Sequence, residues 1–168
     1  MTSILKRAIS TVAADPRPRS LAILRSELVS RDRDRRVVAL VRIRRQMETA
    51  GKKPGYLTLA SRYVKDPDST CRWQATIVVG EFIVTHRDHV WRIAHDLAKS
   101  PNADVRTAAA TVLLEHLLEH HPKDMIPRFR AEIAAGDRRF AKSVASCSNF
   151  GNSRTRVRIQ RLLDEAGA

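Results

Sequence analysis

The chain has little glycine and little cysteine. Six Gly in 168 residues are too few for a β-rich protein full of tight turns. The two cysteines, Cys71 and Cys147, lie far apart with no partner motif, which excludes a disulfide-stapled secreted scaffold and a zinc knuckle. A reduced, cytoplasmic setting is therefore expected. No run approaches the roughly 20 apolar residues of a membrane-spanning helix. The opening MTSILKRAISTVAADPRP has basic residues within its apolar stretch and no long apolar core, so it does not read as a signal peptide. Phosphate-binding loops are missing too: GKKPG at 51–55 lacks the Walker spacing and follows a helical stretch. There is no G-x-S-x-G elbow. Acidic residues are the minority charge, 18 against 31 Lys+Arg, for a net charge of +13.

What is present is helix-forming. Hydrophobic residues make up 43% of the chain, and Ala, Leu, Arg and Glu fill the long segments. Spacing and breakers predict helices over 2–14, 19–30, 34–50, 55–65, 69–85, 88–99, 103–121, 123–135, 137–148 and 153–166. A repeat underlies them. PDSTCRWQATIVVGEF from Pro67 aligns with PNADVRTAAATVLLEH from Pro101, so that Arg72 matches Arg106, Ala75 matches Ala109 and Glu81 matches Glu115. Asp34, Arg36 and Ala39 match Asp104, Arg106 and Ala109 two periods earlier, and GDRRFAKSVA, with Asp137, Arg139 and Ala141, is a weaker later copy. A fixed period of this size marks stacked helical pairs. Asp34, Asp104 and Asp137 sit where an acid favours a helix start.

These paired helices and the Asp-x-Arg-x-x-Ala start of the second helix resemble HEAT repeats over roughly residues 20–150. The resemblance implies an all-α, HEAT-like α-α superhelix of about four helical hairpins with capping helices, forming one domain over 1–168. It also implies that Asp104 and Arg106, with Asp34 and Arg36, bond between neighbouring units. Thr70 stands where the second unit should have its Asp, which weakens the link there.

Charge is segregated. Residues 1–62 hold 15 Lys+Arg against 5 Asp+Glu, residues 63–135 hold 9 against 10, and residues 136–168 hold 7 against 3. Such segregation points to an acidic partner. The densest stretch, RDRDRRVVALVRIRRQMETAGKK, supplies Arg31, Arg33, Arg35, Arg42, Arg45, Lys52 and Lys53 as candidate contacts to nucleic acid or an acidic protein. Arg42 and Arg45, three apart, can share one face. Arg154, Arg158 and Arg161 form a second candidate stripe. Trp73, out of line with the apolar stripe of its helix, is a candidate partner-binding residue on an inner surface; Trp91, among core-type neighbours, is expected to pack. Cys147 is expected to be buried.

HLLEH at 116–120 matches the H-x-x-E-H pattern of some zinc proteases. A catalytic zinc needs a third ligand, an open position and a cleft, and no spacing singles out a third ligand such as Glu132. On a straight wheel His116 and His120 continue the apolar stripe from Val105, so a hydrogen-bonded seam position is expected. His86 and His89 are expected in a solvated or capping role. No catalytic residue, metal or cofactor is assigned. The expectation is a non-enzymatic scaffold that binds a macromolecular partner, most readily a protein, on a concave face. The alternative is a nucleic-acid binder using the basic ends. HEAT-like glycosylases acting on alkylated DNA are similar only in fold type and charge.

Overall fold

The computed structural model describes residues 2–147 and 153–166. These residues are helical, with no strand among them. The chain divides into two compact units, residues 1–81 and 82–168.

The first unit holds α1 (Ser3–Ala14), α2 (Leu21–Leu28), α3 (Arg33–Ala50), α4 (Pro54–Ala60) and α5 (Ser69–Gly80). Long α3 is its centre and packs against α1, α2 and α5, while α4 packs against α2 and α5. Leu24, Leu28, Val37, Leu40 and Ile43 are completely buried, and each such side chain contributes about 1.5–3 kcal/mol of burial. A Cβ at Gly55 of α4 would lie 2.6 Å from Leu21 Cδ1 of α2, so a larger residue there would displace that exposed side chain. Buried Gln46 is fully used: it accepts from Arg19 N (2.7 Å) and donates to Arg19 O (3.1 Å) and Tyr56 Oη (2.9 Å).

The second unit opens with α6 (Arg87–Ala98). A long helix follows in three parts: α7 (Ala103–Ala108), a π-helical segment (Ala109–Leu114) and α8 (Glu115–His120). Then come α9 (Pro122–Ala134), α10 (Arg138–Ala145) and α11 (Ser153–Ala166). α6 and α10 both pack on the π-helical segment, and α11 packs on α8, α9 and α10. Trp91 packs as expected, with Phe129 at 5.4 Å and Phe140 at 6.1 Å between ring centroids. Ser143 Oγ donates to Ala98 O at 2.9 Å and pins α10 to the end of α6.

Helix starts are specified locally. Thr2, Ser20, Asp32, Asp68, Asn102 and Asp137 each accept from a backbone N–H in the first turn of their helix. Pro54 and Pro122 occupy first-turn positions, where a missing N–H costs nothing. Two exits use glycine: Gly51 at φ +83° ends α3 and Gly136 at φ +79° follows α9, a backbone region glycine enters freely.

The helices predicted from sequence correspond one to one with those observed over the described residues. Two run short. α4 stops at Ala60 and α5 at Gly80, where the spacing carried them to 65 and 85. Val64, Phe82 and Ile83 are nonetheless buried, so these turns mimic the apolar period without continuing the helix. The caps also correct the repeat register. Asp32, Asp68 and Asn102, each four residues before the repeat arginine, are the N-caps; Asp34 and Asp104 are first-turn acids. Asp137 is itself a cap, so it corresponds to Asn102, and Arg139 is no counterpart of Arg106.

Candidate functional site

Arg36, Arg72 and Arg106 share one local geometry. In each, Nη1 donates to the carbonyls six and five residues earlier: Ser30 O and Arg31 O at 2.9 and 3.2 Å, Asp66 O and Pro67 O at 2.6 and 2.9 Å, and Ser100 O and Pro101 O at 2.8 and 2.9 Å. Each closes the loop that leads into its own helix. Turn carbonyls lack helical partners, and a permanently charged fork of donors satisfies two at once. Arg36 also spans 30 positions to bind Asp66 in bidentate fashion, Nε–Oδ2 2.9 Å and Nη2–Oδ1 3.1 Å. That hydrogen bond raises the Arg36 guanidinium's affinity for its proton. Cys71 lies beside this pair; burial, then the Asp66 charge, pushes its thiol up to about 12, so it stays protonated. Cys147 is also buried, as expected, and burial raises its thiol too.

The basic stretch does not form one patch. Arg31, Arg33 and Arg35 lie at the start of α3, and Lys52 and Lys53 lie past its end, 18 residues on, about 27 Å along a helix axis. Arg42 is a correction: it is 4% exposed, and Nη1 donates to Asp15 O at 2.7 Å and Arg17 O at 3.2 Å, closing the end of α1. It therefore shares no open face with Arg45. Arg45 is exposed and pairs with Glu48 at 3.2 Å. Lys52 Nζ caps α5 through Glu81 O at 2.7 Å and meets Glu81 Oε2 at 3.0 Å. Arg33 pairs with Asp34 at 3.2 Å, and Arg7 reaches Asp34 from α1 at 2.9 Å. Arg31, Arg35 and Lys53 are exposed, and none has a carboxylate within 4.0 Å among the described residues. Nearby Asp15 holds Arg17 and Arg19 at 2.7 Å each; the Arg17 hydrogen bond lowers its carboxyl to about 2.

In the second unit Arg154 and Arg161 are exposed and Arg158 half-buried on α11, with Ile159 and Leu162 buried. Arg130 on α9 reaches Glu165 on α11 at 2.9 Å. In the first unit Trp73 on α5 is half-buried.

His116 and His120 contradict the seam expectation: both are exposed. His120 is the last residue of its helix. For His116 the cause is the π-helical segment, in which Glu115 N donates to Ala110 O, five residues back. That turn adds about one residue, so later positions lag the straight wheel by about 100°. Leu117 then takes the core angle of about 20° that a straight helix gives His116, and Leu117 is indeed fully buried. Cys147 Sγ also donates to Ala110 O at 3.3 Å, from just past α10. On the outer face the His116 and His120 rings stack at 6.3 Å, and His116 Nδ1 lies 3.3 Å from Glu119 Oε2. His121 turns away and bonds the Ile83 carbonyl at 3.0 Å. His86 stands at the N-cap of α6 without a side-chain cap bond and lies edge-on to Phe82. Burial lowers the pKa of half-buried His89.

Against known proteins, the chain matches no family model, no curated protein and no solved structure.

Proposed function

We propose that the protein is a non-enzymatic helical-repeat scaffold of HEAT-like type that binds a protein partner. The observation that carries this reading is the use made of its arginines. Arg36, Arg42, Arg72 and Arg106 serve loop carbonyls, and Arg33, Arg45 and Lys52 each face a nearby acid. In the first unit Arg31 and Arg35 stand at one end of α3 and Lys53 beyond the other, a spread that suits a protein of mixed or acidic surface better than a phosphate backbone, which rewards many converging cations. In the first unit, the half-buried Trp73 supplies an aromatic anchor of the kind that dominates binding energy. A nucleic-acid reading keeps one specific support, the Arg154, Arg158 and Arg161 stripe on α11.

Affinity purification of the full chain from nuclease-treated lysate tests the proposal, with Trp73→Ala and Arg31→Glu/Arg35→Glu run in parallel. The expected result is one partner, retained by the wild type and lost at least tenfold from a variant. Recovery of nucleic acid alone, or a partner set unchanged by both variants, overturns it.

A further inference from the structure

We infer that His116, Glu119 and His120 form a surface site for a borderline divalent transition-metal ion, with zinc as the reference case. One ligand atom from each residue lies within 4.8 Å of the others. Spacing of four on a helix puts both imidazoles on one side, and Glu119 joins them from the same turn. A four-coordinate zinc with bonds of about 2.0–2.2 Å needs ligand atoms about 3.4 Å apart. His116 Nδ1 and Glu119 Oε2 are already 3.3 Å apart. Only the exposed His120 ring has ground to close, and small rotations of a solvated side chain suffice.

The backbone supplies the second observation. The trio follows directly on the π-helical segment, and that segment turns His116 out of the core. Without the extra residue His116 would take the core angle that Leu117 now holds and would be closed to any ion. π turns are rare interruptions that accompany functional positions, and here Cys147 supports one by bonding Ala110 O. Two imidazoles and a carboxylate select zinc, nickel, cobalt or copper; magnesium and calcium prefer all-oxygen shells. Both cysteines are buried, so thiolates do not compete.

The test uses the untagged full chain, stripped with chelator and titrated with zinc by calorimetry. The expected result is one ion per chain with micromolar affinity. His116→Asn and His120→Asn should each weaken it at least tenfold, and Glu119→Gln several-fold. Magnesium should give no heat. The substituted residues face solvent or half face it, so circular dichroism should show unchanged helicity. His86→Asn/His89→Asn should bind zinc like the wild type. Zinc binding unchanged in the His116→Asn/His120→Asn double variant, or absent from the folded wild type, overturns the inference.

Discussion

Three arginines 36 and 34 positions apart do one job. Arg72 is buried, 6% exposed, and its guanidinium donates to two turn carbonyls. Arg72→Met keeps much of the volume but strips the donors from two turn carbonyls, and should cost about 2–3 kcal/mol, read as a lower denaturant midpoint. A cost near zero would show that water replaces the guanidinium. Asp15 gives a pH-dependent counterpart. Its pKa is lowered to about 2, first by the Arg17 hydrogen bond, so the ionised form favours the fold. Its contribution is complete above the unfolded value of about 3.9 and is lost as pH falls through about 2. Asp15→Asn should thus melt below the wild type at pH 7 and converge with it near pH 2. A gap constant from pH 7 to 2 would assign the effect to something other than charge. The period made Arg36, Arg72 and Arg106 legible in the sequence. Arg42 was not legible, because its partners, Asp15 O and Arg17 O, arrive from a proline-containing loop with no sequence signal for where its carbonyls point.

Among elements, helix number and order could be read because caps and breakers act locally: Asp32, Asp68 and Asn102 announce a start by their own side chains. The π-helical segment could not. AATVLL contains nothing that a straight helix would refuse, and Leu113, Leu114 and Leu117 are all fully buried with the extra residue in place. This one unseen turn moved His116 from seam to surface, so the sequence placed the HLLEH histidines in a seam and assigned no site to them. Deletion of Thr111 should convert the segment to α-helix while keeping Leu117 inward and the histidines outward. The variant should melt cooperatively, close to the wild type. By contrast, an alanine inserted after Val41 rotates the end of α3 by about 100° and should abolish cooperative unfolding. Loss of folding on the Thr111 deletion would contradict the phase argument. Gly51 adds a smaller prediction. With φ at +83° and ψ at 166°, Gly51→Ala should destabilise by about 1–3 kcal/mol, and a stability gain would show that the exit relaxes.

Over the whole molecule, a net charge of +13 invites a polyanion, and the structure gives several of the cations other work. Arginines close loops, cap helix ends and pair with acids on neighbouring helices, while Arg31 and Arg35 stand at one end of α3 and Lys53 beyond the other. Composition reports the count of cations but not what each one faces, so the candidate surface was only partly legible. The central claim is that the basic side chains around α3 serve the fold or stand apart rather than converging on one face. Its most direct test is the salt dependence of binding to a fluorescein-labelled 30-base-pair DNA duplex, followed by anisotropy from 50 to 300 mM KCl. Each phosphate contact contributes about −0.9 to the slope of log affinity against log salt. The account predicts weak binding with a slope no steeper than about −3; tight binding with a slope of about −6 or steeper would mean that many cations converge on one face, contradicting it.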